Sequence, residues 1–251
     1  MKTLVAIPVY NEQRYVCRVL RAVRRYTPHI LVVNDGSTDD TGELLACEPD
    51  IAVITHPENR GYGRSVIDAF DFAARRGYDW VITMDCDEQH EPGCIPAFLA
   101  EAKRCDADLI SGSRYLAESS ADHDPPEDRR RINAAVNNLL ELTLGLRLTD
   151  SFCGFKAHRV CAMRRLELDE PGYAFPLQLW VRAARAGLRI REIPVPRIYR
   201  DRSREFGGTL DDPAARMQHY LHVLVRELRR EPAVRPCPPP RVLDESCPIC
   251  E

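Results

Sequence analysis

Five short apolar runs alternate with segments of helical periodicity through the first half of this chain, and that alternation leaves few folds open. Thr3-Leu-Val-Ala-Ile-Pro8, His29-Ile-Leu-Val-Val-Asn34, Ile51-Ala-Val-Ile-Thr55, Trp80-Val-Ile-Thr-Met84 and Asp108-Leu-Ile-Ser-Gly112 read as buried strands. Val16, Val19, Leu20 and Val23 recur at helical spacing inside a helix expected over 12–25. Further helices are expected up to Cys47 with Ser37 or Thr38 as cap, over 63–76, and near 96–104. Strands separated by helices of about a dozen residues predict an α/β fold, with a mostly parallel central sheet and helices on both faces.

Parallel strands gather whatever follows their carboxyl ends along one edge, which is where open α/β sheets take their ligands. Here those positions hold Tyr10-Asn-Glu12, Asp35, Asn59 and Asp85-Cys86-Asp87. Two carboxylates one residue apart can share a hard divalent cation that draws its other ligands from water and substrate phosphate. Asp-x-Asp is also an ordinary turn and capping pattern, and Pro92 announces a helix close by. The convergence on one edge, rather than the pair alone, points to a diphosphate bridged to the protein by Mg²⁺ or Mn²⁺.

The second half is less regular. Residues 116–131 read as a polar, mobile loop, 150–156 as a strand entry and 189–193 as a strand, with helices over 132–145, 175–187 and 213–230. Met217, Tyr220, Leu221, Leu224, Val225 and Leu228 share one face of the last helix and read as a packing stripe. The expected layout is one domain over 1–230 and a disordered tail over 231–251, where prolines collect. Cys247-Pro-Ile-Cys250 has the spacing of half a zinc site, and Cys237 lies nearby, but a fourth ligand is missing.

A net charge of −3 gives no bulk attraction to nucleic acid or anionic membrane. No apolar run approaches a membrane-spanning length, the start of the chain lacks the form of a secretory leader, and the ten cysteines are scattered. A cytoplasmic location is expected.

Six stretches in order resemble the family-2 glycosyltransferases of the GT-A fold, the nucleotide-diphospho-sugar transferase fold. They are Ile7-Pro-Val-Tyr-Asn-Glu12, Val33-Asn-Asp-Gly-Ser-Thr-Asp39, Asn59-Arg-Gly-Tyr-Gly63, Met84-Asp-Cys-Asp-Glu-Gln-His90, Gly112-Ser-Arg114 and Asp150-Ser-Phe-Cys-Gly-Phe155. They are most similar to the branch that serves dolichyl and polyprenyl phosphates. The resemblance implies an inverting, metal-dependent hexosyltransferase using GDP-mannose or a UDP-hexose, with peripheral contact at the inner face of the membrane if the acceptor is a polyprenyl phosphate. Pro8, Tyr10, Glu12 and Asn59 would line the nucleotide pocket, and Asp35 would read the base edge. Asp85 and Asp87 would hold the ion, with Gln89 as a further ligand or supporting partner. Arg114 would grip a phosphate, and Arg129, Arg131 and Arg202 would clamp the phosphate of the acceptor. Were the acceptor a hydroxyl, Asp150 would be the candidate base. The chain departs from the family pattern at Cys153, at Lys156 and after Asp201-Arg202, where Ser-Lys is missing. These changes leave a soluble acceptor, or a non-catalytic nucleotide-sugar-binding module, as alternatives.

Overall fold

The computed structural model describes residues 1–104, 106–116, 125–199 and 207–231. Its seven strands are β1 (Thr3–Val9), β2 (Ile30–Asn34), β3 (Ala52–Thr55), β4 (Trp80–Thr83), β5 (Leu109–Ser113), β6 (Lys156–Arg159) and β7 (Ile190–Pro194). They form one sheet in the order β3-β2-β1-β4-β6-β5-β7. β1 pairs in parallel with both β2 and β4, β2 with β3, and β5 with β7. β6 alone runs antiparallel, pairing with β4 and β5.

The helices are α1 (Val16–Val23), α2 (Thr41–Ala46), α3 (Tyr62–Arg75), α4 (Ile95–Lys103), α5 (Glu127–Leu144), α6 (Val160–Met163), α7 (Phe175–Arg185) and α8 (Pro213–Arg229). Side chains alternate across a strand, so one strand feeds two cores. Leu4 and Ala6 of β1 pack with α3, α5, α7 and α8, whereas Val5, Ile7 and Val9 pack with α1 and α4. Helices therefore cover both faces, as the alternation predicts, and β1, β2 and β4 are buried almost throughout.

Three local readings change. α2 starts at Thr41, and its cap position makes no side-chain hydrogen bond. Ser37 Oγ instead accepts from the Asn11 amide at 3.0 Å, and the Thr38 amide donates to Asn11 Oδ1 at 2.8 Å. These bonds tie the turn after β1 to the turn after β2. α5 begins at Glu127, inside the segment expected to be loop, with Glu127 and Asp128 in its first turn. Acidic groups there complement the helix dipole, and the lack of apolar residues hid the turn from a periodicity reading. Residues 150–155 do lead into a strand, through a turn at Ser151 and Phe152, but that strand is antiparallel to its neighbours. That reversal matters for the site: β6 enters the sheet at the edge where β4 leaves it, with Thr83 opposite Lys156.

Candidate active site

One cleft of about 690 Å³ runs along the carboxyl edge of the sheet, a volume suited to a small-molecule substrate. Pro8 lines it from the end of β1, Tyr10 and Glu12 after that strand, Asp35 after β2, Asn59 after β3, Asp85, Asp87 and Gln89 after β4, and Arg114 after β5. Nine of the predicted site residues thus meet in one space. Asp150 is not among the lining residues and is fully buried, while Arg202 lies outside the described residues, as do Cys237, Cys247 and Cys250.

Asp35 is held from several sides. Its Oδ1 accepts from the Arg60 amide at 2.9 Å and faces His56 Nδ1 at 2.6 Å, and its Oδ2 accepts from the Gly61 amide at 2.8 Å. A carboxylate oxygen has two acceptor positions, so Oδ2 keeps one for a ligand in the cleft. Gly61 has φ 97°, and a Cβ there would sit 2.4 Å from the Pro171 carbonyl oxygen, so only glycine lets the loop before α7 dock on this turn. That docking brings Tyr173 onto Tyr62, with stacked rings 6.2 Å apart.

Asp85 leaves β4 against the turn that feeds β6. A Cβ on Gly154 would lie 2.6 Å from Asp85 Oδ2, so the carboxylate fills space that any larger residue would take. The Asp85 amide donates to His90 Nδ1 at 2.9 Å, which leaves the ring proton on Nε2, 3.7 Å from Asp85 Oδ2. Burial pulls His90 down to about 4, so the ring is neutral. Asp87 Oδ1 accepts from the Gln89 amide at 3.0 Å. Tyr62 is pushed well above its ordinary value by burial and by Asp85 and Asp87, so its hydroxyl keeps its proton. Among the described residues no three His, Cys, Asp or Glu groups gather around a metal position. The donor set still fits a hard divalent ion of the kind that takes one or two protein carboxylates and completes its shell with phosphate and water.

At the other end of the cleft, Arg114 and Asp150 form a forked pair. Arg114 Nε reaches Asp150 Oδ2 at 2.7 Å, Nη2 reaches Oδ1 at 3.0 Å, and the Arg114 amide adds a third bond to Oδ2 at 3.1 Å. Burial opposes charge on both groups, but each holds the other ionised: Arg114 well above its ordinary value, Asp150 below the usual carboxylate range. Arg114 Nη1 also donates to the Tyr199 hydroxyl at 3.0 Å. A carboxylate held this way is a poor proton acceptor and a good anchor. Asp150 therefore orients Arg114 rather than facing a substrate.

Arg129, Ile132 and Asn133 of α5, Phe152, Tyr199, and Arg216 and Tyr220 of α8 complete this end. Arg216 is buried, donates to the Leu210 carbonyl at 2.9 Å and pairs with Asp128. Phe152 stacks on Tyr220 at 4.9 Å. Arg131 points away: it is exposed, pairs with Glu127 and does not line the cleft. The sequence reading missed Arg216, Tyr62, Tyr173 and Tyr199. Tyr62 lay inside the Asn59–Gly63 motif, and Arg216 stood one residue before the apolar stripe of α8. Tyr220 was read only as packing.

A model of the family "Glycosyl transferase family 2" matches residues 4–169. An undecaprenyl-phosphate mannosyltransferase of Micrococcus luteus is 33% identical over 231 residues, covering 88% of this chain and 94% of that one. A polyprenol monophosphomannose synthase of Mycolicibacterium smegmatis is 33% identical over 204 residues, covering 77% and 76%. Among solved structures, glucosyl-3-phosphoglycerate synthase from Mycobacterium tuberculosis, in complex with Mn²⁺, UDP and phosphoglyceric acid, superposes with a TM-score of 0.69. It is 19% identical and the match covers 91% of this chain and 78% of that one, a likeness of fold. With the strand-end motifs lining one cleft and two relatives alike over most of their length, this chain belongs to the family-2 glycosyltransferases.

Proposed function

We propose that this enzyme moves a hexose from a nucleotide-diphosphate sugar, GDP-mannose or a UDP-hexose, to a polyprenyl phosphate. The observation that carries the reading is one cleft with carboxylates at one end and the guanidinium groups of Arg114, Arg129 and Arg216 at the other. The names of the two relatives at 33% identity supply the acceptor class.

Pro8, Tyr10, Glu12 and Asp35 bind the nucleoside, with Asp35 Oδ2 accepting from a base N–H. Asp85 and Asp87 hold a divalent ion, Mg²⁺ or Mn²⁺, with Gln89 beside them; when bound it neutralises the charge that builds on the departing diphosphate. Glucosyl-3-phosphoglycerate synthase has been crystallised with either ion alongside UDP, which supports the choice of class. Arg114 has three of five N–H donors engaged by Asp150 and Tyr199, so two can grip a phosphate oxygen. Arg129 and Arg216, with Arg202, hold the acceptor.

A phosphate monoester is ionised at neutral pH, so its oxygen attacks the anomeric carbon without a dedicated base. The tied-up state of Asp150 fits that chemistry. Attack opposite the leaving nucleotide inverts the anomeric centre, and positioning with electrostatic stabilisation carries the rate. Among the described residues no helix is long and apolar enough to cross a membrane. A polyprenyl phosphate is itself a membrane lipid, so the reading has the enzyme meet its acceptor at a bilayer surface. The test supplies labelled GDP-mannose and UDP-glucose with polyprenyl phosphate and follows label into an organic-extractable product. Label that stays aqueous, and moves only to a soluble phosphate acceptor, would replace the lipid reading.

A further inference from the structure

We infer that His56 is a positioning residue for the nucleobase, acting through Asp35. The inference rests on the donor reading proposed above. His56 directly follows β3, is 5% exposed, and is not among the cleft-lining residues. Its backbone amide donates to the Asn34 carbonyl at 2.9 Å, which fixes the ring beside the end of β2.

The ring stands between two carboxylates. Nδ1 lies 2.6 Å from Asp35 Oδ1 and Nε2 lies 2.9 Å from Asp68 Oδ2. The ring therefore bridges the two carboxylates, one on each nitrogen. Asp68 is in turn gripped by Arg64, whose Nε donates to Oδ2 at 3.0 Å and whose Nη2 pairs with Oδ1. Arg64, Asp68, His56 and Asp35 thus form one chain of contacts that ends at the cleft. Without the ring, the two carboxylates lose the group that bridges them.

The consequence reaches the cleft through hydrogen-bond arithmetic. Asp35 Oδ1 takes two donors, His56 Nδ1 and the Arg60 amide, and is saturated. Oδ2 takes only the Gly61 amide, so the open acceptor position of Asp35 sits on that oxygen. The two amides hold the carboxylate along one edge, and the ring on Oδ1 fixes its rotation about that edge. His56 therefore sets which oxygen, and which direction, a base N–H finds. Losing a hydrogen bond to a carboxylate of this kind costs roughly tenfold in affinity.

The experiment measures binding of UDP and of GDP, and separately of inorganic pyrophosphate, each with Mn²⁺, to the wild type, His56→Gln and Asp68→Asn. His56→Gln should weaken the preferred nucleotide roughly tenfold and leave pyrophosphate unchanged, because a baseless ligand never meets Asp35. Asp68→Asn should shift the same ligand in the same direction by less. Unchanged nucleotide affinity in His56→Gln, or equal losses for nucleotide and pyrophosphate, would overturn the inference. If His56→Gln does not fold, the same pair of ligands on Asp68→Asn decides it. Failure of the wild type to bind either nucleotide would instead bring down the donor reading.

Discussion

The two ends of the cleft are built by different means. At the carboxylate end, groups that follow four neighbouring strands are held largely by main chain: Asp35 by the amides of Arg60 and Gly61, Asn11 Oδ1 by the amide of Thr38, Asp85 by its own amide on His90. At the arginine end, residues 114 to 220 are brought together by side chains meeting side chains. Arg114 forks onto Asp150, Arg216 pairs with Asp128, and Phe152 stacks on Tyr220. Strand register places the first set, and tertiary pairing places the second. The carboxylate end should therefore tolerate loss of a functional side chain without loss of the fold, and the arginine end should not.

The largest effect is expected where that difference is sharpest. Asp150→Ala leaves the largely buried Arg114 guanidinium without its carboxylate, still bonded to Tyr199, which costs up to about 3–5 kcal/mol, and denaturant unfolding should show it. Asp85→Ala should leave stability nearly unchanged while ending transfer. Equal stability losses in the two variants would break the comparison.

Next comes the contact that joins the two ends. Gly154→Ala puts a Cβ 2.6 Å from Asp85 Oδ2 and 2.9 Å from Oδ1, so the carboxylate has to move. The cost to stability is of order 1–3 kcal/mol, and the Mn²⁺ concentration needed for half-maximal transfer should rise. An unchanged metal requirement would show that Asp85 has room the structure does not give it.

Arg216→Lys is a smaller change. A lysine keeps the charge but cannot serve Asp128 and the Leu210 carbonyl with one planar fork. KM for the acceptor should rise several-fold, with KM for the nucleotide sugar unchanged. A rise in the donor KM alone would move Arg216 to the other end of the cleft.

The smallest effect is in the shared sheet beneath both ends. Burial holds His158 neutral, well below its ordinary value of 6.5, and Thr83 Oγ1 lies 3.2 Å from its Nε2. The unfolded chain binds the proton that the folded chain refuses, so stability rises with pH in this range and falls as pH drops below about 6.5. His158→Leu should lose less stability than the wild type between pH 7 and pH 5. Parallel pH profiles would assign the acid sensitivity to other groups.

Legibility in the sequence follows the same division. Strands β1, β2 and β4 are continuous apolar runs with ligand-bearing turns after them, so Pro8, Tyr10, Glu12, Asp35, Asp85 and Asp87 could be placed on one edge before any coordinates. β6 could not: Lys156-Ala-His-Arg159 carries two polar residues that are buried by tertiary structure, with Lys156 donating to the Cys153 carbonyl and lying 5.3 Å from the Trp180 ring centroid. Its antiparallel entry is what sets Gly154 under Asp85. Asp150 was legible as a site residue, but its role as an anchor depends on a partner 36 residues away. α8 was read as an amphipathic helix packed by its stripe; that the same face offers Arg216 and Tyr220 to the cleft is set by how α8 lies against α5 and α7.

Transfer of labelled sugar from a nucleotide sugar to polyprenyl phosphate, with Mn²⁺ and with chelator, in the wild type and in Asp87→Ala, tests the account most directly. The account predicts organic-extractable product only for the wild type with the ion present, with Asp87→Ala folded and inactive. Undiminished transfer by Asp87→Ala, or by the wild type in chelator, would contradict it.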